Sequence, residues 1–244
     1  MDLIVALILS ALFSYFCSRF IRKAPWAFYA GALVIDALVI SNVFAGSFAA
    51  ASRALFPYFQ QGVLGFALLV VVMFVGALPD GKIARTLRPV RGELSIIACI
   101  LIAGHVVHYA NPMLFRVLSG SLGATAATFW GTVLSLVFVA LFVVLTVTSF
   151  RFVRNAMSPK AWKRVQLLAY PFFILTFLHI FIMLAPSALY AGGKALVNIV
   201  VYAAILVAYA VARLYRAYVA RADAAAGAAS DASAAGAAGV ADVA

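Results

Sequence analysis

A chain of 244 residues that is 67% hydrophobic and 10% charged, with a mean hydropathy of +1.12, cannot present the polar surface of a water-soluble domain. Its net charge of +11 does not point to nucleic acid either, because the basic residues bracket apolar runs instead of forming one patch. What remains is an all-α integral membrane protein whose outer surface faces lipid.

The first apolar run, LIVALILSALFSYFCS at residues 3–18, has its charges after it, in RFIRK. A secretory signal carries its charges first, so this run is expected to be a retained span. A span needs roughly 20 apolar residues at about 1.5 Å each. Seven runs approach that length, at about 3–19, 27–49, 61–79, 94–111, 129–150, 165–186 and 194–213. The expected organisation is an extra N-terminal span at 1–26, a transmembrane domain at 27–221 and a tail at 222–244. The tail is rich in alanine and glycine and has no large apolar residue beyond valine. It is expected to be disordered, with a frayed helix as the alternative. Cys17 and Cys99 lie inside apolar runs and read as small buried hydrophobes, and there is no zinc-type Cys/His cluster. There is no Gly-rich nucleotide-binding turn, nor a polar stretch long enough for a flavin or NAD(P) domain.

Basic residues fix an orientation. Arg19, Arg22 and Lys23 follow the first run, and Lys82, Arg85, Arg88 and Arg91 separate the third from the fourth. Arg151, Arg154, Lys160, Lys163 and Arg164 separate the fifth from the sixth, and Arg213, Arg216 and Arg221 follow the seventh. Only Arg53, Arg116 and Lys194 fall in the alternate connections. By the positive-inside rule the N-terminus is outside and the C-terminus cytoplasmic, in a bacterial cell (inner) membrane.

All three histidines sit in apolar runs. His105 lies fourteen residues past Arg91, about 21 Å up a helix, and His179 lies fifteen past Arg164, about 22 Å up. Two parallel spans thus raise one imidazole each to the same depth, the donor arrangement of a bis-histidine haem. Phe172, Phe173, Phe177 and Phe181 suit its apolar slot or serve ordinary packing. His108, one turn outward from His105, reads as an alternative ligand, a propionate partner or a hydrogen-bonding group at the rim. Asp36, about ten residues into the second run, is either a carboxyl bonded near Ser41 or Asn42 of its own helix, or a proton or quinol site. Pro171, inside the sixth run, is expected to kink it below His179.

The segments VRGELSIIACILIAGHVVHYA (90–110) and TVTSFRFVRNAMSPKAWKRVQLLAYPFFILTFLHI (146–180) resemble the ferric reductase-like transmembrane superfamily. The nearest likeness is to the haem-binding membrane subunit of the bacterial periplasmic methionine sulfoxide reductase system. The resemblance covers about 80–180, with His105, Tyr109, Thr148, Ser149, Trp162, Lys163, Tyr170 and His179 in matching places. It implies a six-helix core, to which the first span is an addition, making about seven helices. It also puts His105 and His179 in the ligand places and His108 where a small polar residue is usual. Gln166 and Arg91 stand where a second haem's histidines would be, so one haem b is expected, not two. A flavin is supported by no motif. The implied function is a cytochrome b subunit passing electrons from quinol or a separate reductase to an extracytoplasmic redox protein, with no nucleic-acid partner. The alternative is a cofactor-free permease or assembly factor that kept the fold.

Overall fold

The computed structural model describes residues 2–41, 56–120 and 126–241. Among them there is no strand, and the chain is a helical membrane bundle. Its elements are α1 (Asp2–Lys23), α2 (Pro25–Ile40), α3 (Val63–Ala77), α4 (Lys82–Leu87), α5 (Arg91–Leu118), α6 (Ala126–Ser149), α7 (Arg151–Ala156), α8 (Pro159–Gln166), α9 (Ala169–Ala191) and α10 (Gly193–Ala241). A helical turn at 56–60 precedes α3, and a 3₁₀ turn, Arg88–Val90, joins α4 to α5.

Each of the seven apolar runs contains a helix among the described residues, the second being described only as far as residue 41. Those containing α1, α5, α6, α9 and α10 are long and apolar enough to cross a membrane, and α2 and α3 are shorter apolar helices. The polarity of the bundle is inverted relative to a soluble protein. Phe16 and Leu136 are 69% and 70% exposed, whereas Ser10 and Ser14 are 1% and 0% exposed. Water would penalise that arrangement; lipid favours it.

α1 carries Ala6, Ser10, Ser14 and Ser18 at four-residue spacing, all buried, and it packs on α3. Small residues at this spacing let two helix backbones approach closely, which a bilayer rewards through van der Waals contact. The Ser14 hydroxyl bonds back to the Ser10 carbonyl at 2.6 Å, satisfying a polar group that lipid would leave unpaired. α5 packs on α2, α3 and α6, while α9 packs on α6 and α10. Leu94, Ile97, Ala98 and Leu101 of α5 share one core with Leu68, Val72 and Val75 of α3. Cys99 and Ile102, on another side of α5, meet Phe142 of α6 and Phe172 of α9.

Side-chain contacts gather the basic ends on one face. Arg216 of α10 donates to the Leu78 carbonyl just past α3, and Arg88 reaches the same oxygen at 2.9 Å. Arg151, at the start of α7, grips Glu93 of α5 with two donors, Nε at 2.9 Å and Nη2 at 2.5 Å, and Tyr29 of α2 donates to the other Glu93 oxygen. On the same side Ser158 caps α8, accepting from the Ala161 amide at 3.2 Å, with Pro159 at the first helical position.

The break expected below His179 is present: the helix is interrupted at residues 167–168, and Pro171, which has no amide hydrogen for the Leu167 carbonyl, sits in the first turn of α9. The prolines inside long helices are Pro112 of α5 and Pro186 of α9. The segment 222–241, where composition favoured disorder, continues α10 as helix. Alanine has the highest helix propensity, and extending an existing helix avoids the cost of nucleation.

Candidate functional site

His105 projects from α5 towards the chain just before α3. Its Nδ1 lies 2.8 Å from the carbonyl oxygen of Gln60. A carbonyl can only accept, so Nδ1 carries the proton and Nε2 keeps its lone pair. Gly62 closes the same turn with a positive φ of 69°, and a Cβ there would sit 3.1 Å from the His105 Cγ. Glycine is therefore needed both for the backbone and for the ring.

His108 is held differently. The side-chain amide of Gln60 lies 2.8 Å from its Nε2, so that nitrogen's lone pair is consumed within the protein. One glutamine thus orders both rings and separates them, since His105 keeps Nε2 for a ligand and His108 does not. Tyr109 lies beside both, with ring centroids 5.0 Å from each.

His179 projects from α9 towards α6. Ser135 donates to the Gly131 carbonyl at 2.7 Å, which turns its oxygen into an acceptor 3.4 Å from the His179 Nδ1. As with His105, it is Nδ1 that faces a protein oxygen, which leaves Nε2 as the nitrogen a ligand would meet. Phe138 of α6 stacks on His179 at 5.9 Å and on Phe172 at 4.7 Å. Of the four phenylalanines singled out by sequence, Phe172 joins this wall, Phe173 stacks on Phe66 of α3, and Phe177 pairs with Phe181. Phe138, Gln60 and Ser135 were not legible from the chain, because their importance depends on which helices meet.

Asp36 is buried at 7% exposure, and its carboxyl lies against Gly104 of α5, the residue before His105. Its carboxyl fills the space a Gly104 side chain would need. Of the two partners expected on its own helix, neither is seen to bond to it among the described residues. Ser41 bonds to the Ala37 carbonyl, and Asn42 lies outside the described residues. The site thus has a buried carboxyl behind one of its two imidazoles.

Towards the basic face the chemistry changes. Gln166 donates to the Thr148 hydroxyl at 3.1 Å, and Trp162 donates to the Thr148 carbonyl at 3.0 Å. The Arg91 guanidinium lies against Gly76, and Arg213 donates to the Gly76 carbonyl at 3.2 Å and to the Tyr170 hydroxyl. These side chains are engaged with the protein and are donors, not metal ligands. Among the described residues no three His, Cys, Asp or Glu side chains gather as a metal site. A haem needs only two axial nitrogens from the protein, and the two Nε2 atoms fit that donor set.

Residues 61–177 match the family described as ferric reductase like transmembrane component. His105 and His108 fall inside the match, His179 lies two residues beyond it, and α1, α2 and Asp36 precede it. The chain is also similar to an uncharacterized protein of Treponema pallidum (strain Nichols), at 34% identity over 200 residues. That alignment covers 81% of this chain and 55% of the relative, so the chain spans about half the length of the curated relative it matches. No solved structure matches. Residues 61–177 of the chain therefore form a ferric reductase-like transmembrane domain.

Proposed function

We propose that this protein is a cytochrome b subunit of a bacterial inner membrane, with its N-terminus outside and its C-terminus cytoplasmic. It passes electrons from quinol or a separate reductase, through one haem b, to a redox protein on the outer face. The observation that carries the reading is the shared Nδ1 contact. His105 and His179 stand on separate helices, each with Nδ1 engaged by a protein oxygen and Nε2 uncommitted. When bound, the haem supplies a one-electron carrier. The protein's part is to hold the two imidazoles through the Gln60 carbonyl and Ser135, to line the interior with Phe138 and Phe172, and to exclude water. His108 belongs to the rim, tethered by Gln60, and Asp36 is the proton or quinol group beside the His105 turn.

Haem content of purified variants tests the assignment. His105→Ala and His179→Ala should each retain less than about a tenth of wild-type haem, since one axial nitrogen is lost. His108→Ala should retain most of it. If His108→Ala loses haem while His105→Ala keeps it, the ligand assignment is wrong.

A further inference from the structure

The basic face holds a cavity remote in sequence from both imidazoles. It lies between the end of α1, α4 and the 3₁₀ turn, has a volume of about 160 Å³ and is lined by Ser18, Arg19, Arg22, Arg85, Thr86 and Val90, with Pro89 at its edge. Ser18 and Val90 are buried and form its floor, while the three arginines are exposed. Ile21, 0% exposed, anchors α1 in the same core as Leu87 and Val90, so the ends of two elements are fixed around the cavity.

No acidic residue lines it. Asp80, whose carboxyl feels the charge of Arg85, is bonded to Arg88. Among the described residues Arg19, Arg22 and Arg85 make no ion pair. A positive-inside bias explains basic residues on this face, but it does not require three guanidiniums from two elements to line one cleft. Their planar donor forks suit a tetrahedral oxyanion, and basic pockets between helices at a membrane surface recognise lipid phosphates. Arg19 and Arg22 come from α1, outside the family match, so this site is assembled only where that helix is present.

We propose that this cleft binds a phosphate ester, presented either by an anionic phospholipid headgroup or by a soluble phosphate. The test uses the full chain in nanodiscs. One arm compares phosphatidylglycerol with phosphatidylcholine nanodiscs and counts lipid retained on detergent extraction by native mass spectrometry. The other adds inorganic phosphate or glycerol phosphate to phosphatidylcholine nanodiscs and follows Tm. The variants are R19Q/R22Q/R85Q and, as an equal-charge control, K160Q/K163Q/R164Q on α8. Retained phosphatidylglycerol that falls by roughly tenfold in the first triple, and less than about twofold in the control, establishes a lipid site. A Tm rise with soluble phosphate that only the first triple abolishes establishes a soluble ligand. Equal losses in both triples, or no preference in either arm, overturn the proposal. If the first triple is not folded, Arg85→Gln alone, on the exposed side of α4, must reproduce its direction at smaller size.

Discussion

Gln60 gives the two histidines of α5 different hydrogen bonds, and on the proposed reading this separates ligand from non-ligand. Its backbone carbonyl forces the His105 proton onto Nδ1, and its side chain occupies Nε2 of His108. Gly62, in the same turn, has no room for a side chain against His105. Gly62→Ala should therefore do two things. It should cost about 1–2 kcal/mol in stability, because an L-residue is placed in the left-handed region. It should also displace the His105 ring, seen as lower haem retention or a changed reduced-state spectrum. Unchanged stability and spectrum would show that the turn can relax away from the ring. The three histidines and Asp36 were legible in the sequence, because ionisable residues stand out in apolar runs. Their partners were not. Gln60 is forty-five residues from His105, and Gly104 is on a different helix from Asp36. No periodicity joins such pairs; only helix packing does.

Two polar clamps tie the elements at the basic face, and they differ in burial. The Glu93 side chain is 8% exposed, and it joins α5 to α2 through Tyr29 and to α7 through Arg151. Arg151→Ala leaves a buried carboxylate one partner short, at a cost of about 1–3 kcal/mol in unfolding free energy. The double variant Glu93→Gln/Arg151→Ala should recover part of that loss. A double variant worse than the sum of the singles would contradict the clamp. The Asp80–Arg88 pair sits between α3 and α4 and is exposed to water. The Arg88 hydrogen bond holds the Asp80 carboxyl below the usual carboxylate range. A group so depressed stabilises the native state above its ordinary value of about 3.8 and loses that contribution as pH falls through its folded value. Hydrogen-exchange protection of residues 78–88, taken relative to the intrinsic rate at each pH, should therefore fall below about pH 4 in the wild type. Asp80→Asn should show protection that does not change with acid, and a loss of protection that survives this change would assign it elsewhere. The helices themselves were legible from the apolar runs, because length and composition alone determine what lipid accepts. The break at residues 167–168 was legible only through Pro171, since the apolar run itself passes through it unbroken.

At the scale of the whole molecule, contacts join the basic ends of several elements: the arginines of α10 reach the end of α3, and Arg151 of α7 reaches the start of α5. The proposed orientation requires an odd number of crossings. A C-terminal fluorescent-protein fusion should fluoresce and a C-terminal alkaline phosphatase fusion should be inactive, and the reverse result would invert the orientation. The positions where a second haem's ligands would stand are Gln166, bonded to Thr148, and Arg91, packed on Gly76. The account therefore turns on a single haem between α5 and α9. The most direct measurement is the haem content of the purified wild-type protein, by pyridine haemochrome assay with a dithionite-reduced minus oxidised spectrum. One b-type haem per chain is the predicted result. No b-type signal would contradict the redox assignment, and two haems per chain would contradict the roles given to Gln166 and Arg91.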